Sequence, residues 1–280
     1  MKDQILTLGQ KSTPPLKDYL QFKSFSWLYN QLFETVIAES DALKEKAFRI
    51  RHEVLCEEFG YHQVKPEADK MERDHYDEHA HHVLLIHKRS GEAIGTVRVV
   101  MPNAEDLHNS FPLQERFQGG RMKDEGALQT MCEISRLCVL KQFRSRQGDE
   151  GSPLGCVHDQ DKETFMDRAT RRVARRIIPF APIGLIRSSF EIAIREGQTQ
   201  CCVLLETPLI DSFERLGLIC QRIGPVIDYE GRQPVLIDIF TSIHNMRIKQ
   251  KAIWDVMTNN GLLHDQIMQL KAKSLVNEPS

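Results

Sequence analysis

The chain has 280 residues, 41% of them hydrophobic and 27% charged, with a formal net charge of −2. This is the composition of a soluble globular protein long enough to bury a sizeable core, and the near-neutral balance gives no electrostatic reason to expect a nucleic-acid partner. No apolar run reaches membrane-spanning length and no signal-peptide pattern opens the chain; seven scattered cysteines without metal-ligand spacing read as free thiols in a reducing, cytoplasmic setting.

In chain order, residues 1–17 read as a loose arm broken at Pro14-Pro15. Phe25 to Ile37 carry Trp27, Leu28, Leu32 and Val36 at helical spacing, which predicts one helix. A second helix fits Asp41 to Phe59, with Ser40 as N-cap and Ala47, Phe48, Val54 and Leu55 near one stripe. Arg51 sits on it, and Tyr61 follows the Gly60 stop. Val64 to Glu78 is acidic and poor in apolar groups (Glu67, Asp69, Glu72, Asp74, Asp77, Glu78) and reads as a surface loop. His75, His79, His81 and His82 straddle that loop and a strand start, so no metal site is expected of them.

A hairpin follows, His82 to Lys88 and Ala93 to Val100 across Ser90-Gly91-Glu92, with Arg98 interrupting its second strand. Pro102 to Gln129 is irregular, and Gln147 to Lys162 is a polar, glycine-bearing loop. Thr164 to Ile178 reads as an amphipathic helix whose apolar stripe is Phe165, Ala169, Val173 and Ile177. Arg168, Arg171 and Arg175 lie opposite the stripe, with Arg172 and Arg176 at its margin. Such a face is either solvated or a dock for an acidic partner. Then come a helix Leu185 to Glu196, a buried strand Cys201 to Glu206, and a short helix with Thr207 as N-cap, ended by Gly217. A last hairpin joins Leu218–Asp228 to Gln233–Phe240, and His244 to Leu270 is a partly basic helical tail.

The stretch that organises the rest is Met131 to Arg146. It opens as a strand with Ile134, Leu137 and Val139, yet holds Glu133 and Arg136. Charges in a core strand are costly unless paired or used. A carboxylate that manages a proton, followed by a turn with Lys141, Arg144 and Arg146 that holds a phosphate, would make an acyl-transfer site; a structural ion pair with Arg98 or Arg136 plus a solvated turn is the other reading. Residues three apart face opposite sides of a regular strand, so a bulge is required if Glu133 and Arg136 are to share a site.

The element order resembles the GNAT N-acyltransferase fold, a mixed, mostly antiparallel sheet with helices on both faces. Arg51-x-x-x-Leu55, Tyr61, Asp74-x-x-Asp77, Arg98 and Glu133-x-x-Arg136 resemble the signature of acyl-homoserine-lactone synthases, with Leu for a Phe and Tyr for a Trp. The wording YDEHAHHVLL, GTVRVVMP and EISRLCVLKQFR is similar to PEP-CTERM/exosortase-associated acyltransferases, relatives of N-acyl amino acid synthases. The resemblance implies a GNAT-like domain over 41–245, between an N-terminal arm and helix, 1–40, and a helical tail, 246–280.

The same resemblance implies transfer of a fatty acyl chain from acyl carrier protein to the amine of an amino acid or related small amine. Glu133 would be the base, with Arg136 and Arg98 beside it, and Arg51, Tyr61, Asp74 and Asp77 would shape the acceptor pocket. Leu137, Cys138 and Val139 would meet the thioester, with backbone N–H groups near Leu137 and Cys138 serving the oxyanion. Arg144, Arg146 and the arginines 168, 171, 172 and 175 would meet the phosphopantetheine and its carrier. No cofactor is expected to bind tightly. The turn after the strand has no glycine before Gly148, which favours a single phosphate over the coenzyme A pyrophosphate. The alternatives are a lactone synthase using S-adenosylmethionine and a non-catalytic acyl-carrier-protein sensor. A transmembrane segment is not expected, and a peripheral membrane contact is left open.

Overall fold

The computed structural model describes residues 25–61, 69–143, 177, 180–227, 231–266 and 268–269. A seven-stranded sheet runs in the order β1-β2-β3-β4-β5-β7-β6. Its strands are β1 (Phe33–Ile37), β2 (Ala80–His87), β3 (Glu92–Val100), β4 (Met131–Val139), β5 (Gln200–Glu206), β6 (Cys220–Arg222) and β7 (Arg232–Asp238). Every neighbouring pair is antiparallel except β4 with β5. That parallel pair is short: Met131, Cys132 and Glu133 face Gln200, Cys201 and Cys202, and beyond Glu133 the strands part.

Helices α1 (Phe25–Leu32), α2 (Asp41–His52), α3 (Pro112–Arg116), α4 (Glu125–Gln129), α5 (Pro182–Arg195), α6 (Thr207–Leu216), α7 (Ile239–Lys249) and α8 (Lys251–Met257) surround the sheet. Strand alternation sends successive side chains to opposite faces. Val83, Leu85, Val97 and Val99 pack with Ile183, Leu185, Ile186 and Phe190 of α5 in the main core. Leu84 and Ile86 instead meet Ala47, Ile50 and Val54 of the α2 side. A third cluster joins Val100, Met131, Cys202 and Leu236 to Phe111, Leu113 and Leu128 around α3 and α4. Among the described residues no helix is long and apolar enough to cross a membrane.

The elements expected from residue patterns are present, with differences in extent and type. Among the described residues the strand expected over Leu218–Asp228 is confined to Cys220–Arg222, and the tail expected from His244 is two helices, the first starting at Ile239. Phe25 to Ile37 is not one helix: after Leu32 the run Phe33-Glu34-Thr35-Val36-Ile37 pairs with β2 as an edge strand, which its β-branched residues favour. The second helix is α-helical to His52 and continues as a π-helical segment, Glu53–Glu58; Ser40 takes the N-cap position without a side-chain bond. Glu206 occupies the N-cap of α6, so Thr207 starts the helix one residue inside the expected place. Pro102 to Gln129 is less irregular than expected, because it contains α3 and α4. The helix expected over 164–178, apart from Ile177, lies outside the described residues.

Candidate active site

The parting of β4 from β5 opens a cavity of about 340 Å³ in the middle of the sheet. Its walls include Ile134, Leu137 and Val139 of β4 and Val203, Leu204 and Leu205 of β5. Val54, Leu55 and Phe59 line it from the α2 side, and Pro182, Ile186 and Phe190 from α5. As α2 and α5 cover opposite faces, the cavity passes through the sheet. It is mostly apolar, within the size range of small-molecule sites, and has a few polar groups: Glu133, Ser135, Arg136, Arg116, Glu206 and Arg232.

Glu133 stands at the apex of the split, 4% exposed. Its Oε2 accepts the backbone N–H of Leu113 at 2.8 Å, and no ion pair to it is present among the described residues. The salt bridge with Arg98 or Arg136, the alternative reading of Glu133, is therefore not formed. Burial raises its pKa to about 7, against the smaller opposing pulls of the Leu113 N–H and of Arg98 and Arg136. The Leu113 donor is itself held in place by Gln114. The Gln114 Oε1 accepts the N–H groups of Ser110 and Phe111, both at 2.9 Å, and its Nε2 donates to the carbonyls of Leu107 at 3.1 Å and Met122 at 3.3 Å. All four hydrogen bonds of the amide are made.

The required bulge is present. Arg98 pairs with Ser135 but Thr96 pairs with Cys138, so Arg136 and Leu137 together oppose Val97. Arg136 takes φ +53°, a left-handed conformation uncommon outside glycine. The extra residue shifts the alternation, so that Glu133, Ser135 and Arg136 look to one side of the sheet.

On that side six charged residues close a ring of alternating sign. Arg51 Nε bonds Glu72; Glu72 meets Arg136 at 2.9 Å; Arg136 meets Asp74 at 3.0 Å. Asp74 meets Arg98 at 2.5 Å, Arg98 meets Asp77 at 2.9 Å, and Asp77 returns to Arg51 at 2.7 Å. The Arg51–Asp77 contact is bidentate, its second bond at 3.1 Å. Arg98 also donates to Ser135 Oγ at 3.1 Å. Arg51 and Arg98 are fully buried, whereas the side chains of Arg136 and Asp74 are 22% and 26% exposed. The ring ties α2, the 72–77 segment, β3 and β4 together. Asp74 and Asp77 also fold that segment locally, through reciprocal side-chain bonds that cap the turn His75–His79. Burial would raise Glu72, but Arg51 and Arg136 pull it down to about 2, and Arg51 and Arg98 hold Asp77 lower still.

The acidic stretch is therefore only partly the expected surface loop: Glu72 is 3% exposed, while Asp69 and Glu78 remain exposed. His82 lies buried beside Asp77, its Nε2 3.8 Å from Oδ1. His79 meets the Ser110 carbonyl at 2.9 Å, and His81 faces Glu196 at 3.5 Å. Tyr61 lines the cavity near the far end of the split, stacked on Phe59, and accepts a 2.9 Å hydrogen bond from Arg232. Of the thioester-side residues, Leu137 and Val139 line the cavity. Cys138 does not: it pairs with Thr96 and packs with α2, burial pushing its thiol up to about 12. Arg144, Arg146, Arg168, Arg171, Arg172 and Arg175 lie outside the described residues. Residue patterns alone did not single out Glu72, Gln114, Arg116 or Arg232. The acidic run gives no sign of which carboxylate turns inward. The one local cue for α3 is Phe111-Pro112, with proline at the first helical position.

A family model described as an acetyltransferase (GNAT) domain matches residues 50–151, the span that holds the ring, the bulge and Glu133. No curated protein matches the chain. Among solved structures, FeeM, an N-acyl amino acid synthase from uncultured soil microbes, is 12% identical with a TM-score of 0.52, covering 78% of this chain and 96% of its own. TofI, in a ternary complex with an inhibitor and MTA, is 19% identical with a TM-score of 0.49, covering 78% and 99%. BjaI, a CoA-dependent acyl-homoserine lactone synthase with MTA, is 15% identical with a TM-score of 0.49, covering 81% and 88%. The fold is GNAT-like.

Proposed function

We propose that the protein is an N-acyltransferase that moves a fatty acyl chain from the phosphopantetheine thioester of acyl carrier protein to the amine of an amino acid or related small amine. The observation that carries this reading is Glu133: a buried carboxyl with a pKa of about 7, held by one backbone N–H, at the edge of an apolar cavity running through the sheet. A base that titrates near neutrality suits removal of a proton from an attacking amine. The amine nitrogen attacks the thioester carbonyl while Glu133 takes its proton, directly or through water. The tetrahedral oxyanion collapses to the amide, and the sulfur leaves as a thiol once it has taken a proton back. Leu137 has no ladder partner in β3, and its N–H is the donor we assign to the oxyanion. The apolar walls suit an acyl chain.

Two observations favour a carrier protein over coenzyme A. The turn after β4 lacks glycine, and its first N–H, that of Lys141, is already bonded to the Glu58 carboxylate at 3.0 Å. A carboxylate at that place opposes a pyrophosphate. The arginines 168, 171 and 175 remain our assignment for the carrier's dock. The GNAT-like fold shared with an N-acyl amino acid synthase, and the wording similar to the PEP-CTERM/exosortase-associated group, make amino acids the first acceptors to test.

The test is to incubate the protein with acyl carrier protein thioester or acyl-coenzyme A, and with an amino acid mixture or S-adenosylmethionine, and to identify products by mass. An N-acyl amino acid formed faster from the carrier thioester supports the reading. A lactone product from S-adenosylmethionine assigns the lactone synthase activity instead. Tight carrier binding with no product from any acceptor assigns the sensor.

A further inference from the structure

The ladder joins β4 to β5 only where Met131, Cys132 and Glu133 meet Gln200, Cys201 and Cys202, so the sheet has two halves that part from Glu133 onward. The second half stays whole, since β5 keeps its pairing with β7 as far as Glu206 opposite Arg232. The segment that follows α2 is fastened to the first half. Val54 packs with Leu84 and Cys138, and the Glu58 carboxylate accepts the Lys141 N–H just past β4. The Tyr61 N–H donates to the Leu55 carbonyl at 2.9 Å. From there Tyr61 meets the second half. Arg232 Nη2 donates to Tyr61 Oη at 2.9 Å, and its guanidinium lies 5.2 Å from the centre of the Tyr61 ring. Glu206 is 3.8 Å from the same Nη2, and Phe59 stacks on Tyr61 with 5.2 Å between ring centres. Tyr61 and Arg232 both line the cavity. One contact therefore crosses from lip to lip of the split.

A phosphopantetheine arm is fixed to its carrier at one end and bears the acyl chain at the other. With its thioester at Glu133 the arm lies between the same two lips. We propose that the Tyr61–Arg232 contact is a clasp, which opens to admit each acyl arm and closes over it; this rests on the N-acyltransferase reading above. The clasp sets how fast an acyl ligand enters and leaves, and not how tightly it is held. The contact suits that task. It joins a cation to a neutral phenol, and the Arg232 side chain is 20% exposed, so water replaces the bond when it opens. The ring around the fully buried Arg51 and Arg98 has no such replacement. The clasp can break while the scaffold holds, as the closing segments of enzymes do when they admit substrate and release product.

Binding kinetics test this without turnover. The probe is N-(11-dansylaminoundecanoyl)glycine, a fluorescent product analogue, followed by stopped flow. Tyr61→Phe keeps the ring and its stack on Phe59 and removes only the hydroxyl; Arg232→Leu breaks the same bond from the other lip. In each variant kon and koff should both rise about tenfold, the scale of one hydrogen bond to a charged group, while Kd stays within about twofold. The double variant should be no faster than either single one, because both remove one interaction. Melting temperatures should match wild type, and each variant tests the bond alone if the other fails to fold. A lost ligand contact shows mainly in koff. A rise in koff with Kd weakened to match therefore makes Tyr61 or Arg232 a ligand contact and overturns the clasp. Unchanged rates make the contact a fixed brace and overturn it too. If the wild-type protein does not bind the probe, the N-acyltransferase reading itself falls, and the clasp with it.

Discussion

Glu72 and Glu133 are two glutamates that border the same bulge, and their surroundings push them in opposite directions. Both are buried, and in both the loss of water is the largest influence and favours the neutral acid. Glu72 has Arg51 and Arg136 against its oxygens and is driven down to about 2. Glu133 has one backbone N–H and, among the described residues, no arginine in contact, and rises to about 7. Counter-charge at hydrogen-bond distance overcomes desolvation; Arg98 and Arg136, which make no bond to Glu133, do not. The ring is thus a fixed scaffold at neutral pH, and Glu133 is the group left able to exchange a proton.

The largest effect expected from breaking this contrast is on the scaffold. Arg98→Ala removes a buried cation from between Asp74 and Asp77 and should lower stability by about 3–5 kcal/mol, read from urea melts at pH 7. Arg136→Ala, at the exposed edge of the ring, should lower it by less. Acid should act in the same sense. The folded pKa of Glu72 lies below its unfolded value of about 4.3, so its stabilisation is full above that pH and is lost as pH falls from about 4.3 to about 2. Equal melts for Arg98→Ala and wild type would show that the ring contributes nothing net.

Glu133→Gln should reverse the usual association of mutation with damage. The Leu113 N–H keeps an acceptor while the ionisable group is gone, so turnover should fall roughly 10²-fold or more. The raised pKa means that ionising Glu133 destabilises the fold as pH rises from about 4.3 to about 7, and that this persists above. The variant should therefore melt higher than wild type at pH 8 and at the same temperature at pH 4. A variant less stable at pH 8 would mean that the carboxylate is better solvated than its burial implies.

Much of this was legible in residue types, and the limit has a physical cause. The spacing of Glu133 and Arg136 demanded a bulge, because strand geometry leaves no other way to put them on one side, and the bulge is present. Arg98 stood out as a charge inside an apolar strand, whereas Arg51, Asp74 and Asp77 were marked by the resemblance to the lactone-synthase signature. Glu72 did not, because it belongs to a run of acids whose inward member is chosen only by where Arg51 and Arg136 come to rest. The strand at Phe33–Ile37 was hidden because Leu28, Leu32 and Val36 satisfy a helical period as well as pairing with β2 allows. The α3 segment was hidden because its order comes from one side chain, Gln114, bonded to backbone groups from Leu107 to Met122.

That dependence gives the next prediction. Gln114→Leu leaves four backbone groups without their partner and should lower stability by about 2–3 kcal/mol. It should also loosen the Leu113 N–H from Glu133. The N–H favours the ionised form, so the base-limb pKa in the pH profile of kcat should move up from about 7. A loss of stability with an unmoved pH profile would mean that α3 holds its place without Gln114.

The smallest effect concerns the neutral neighbour of the ring. His82 is 1% exposed, lies edge-on to Phe48, and has no hydrogen-bond partner at either ring nitrogen among the described residues. Burial lowers its pKa to about 4; Asp77 pulls the other way, and Arg51, Arg98 and Lys44 reinforce the shift. Asp77 is already shared by two arginines, so it has little left to offer an imidazolium. Because the folded pKa is depressed for a base, the unfolded chain takes up the proton first. Stability should fall as pH drops from about 6.5 to about 4, by about 2 kcal/mol at pH 5. His82→Leu, of similar volume, should remove that slope: near-equal melts at pH 7.5, and a variant more stable than wild type at pH 5, with turnover unchanged because His82 does not line the cavity. If the two proteins lose stability in parallel below pH 6.5, His82 is charged in the folded state. Asp77 would then have to carry a third cation, and the ring would not be the closed, neutral unit that sets Glu133 apart.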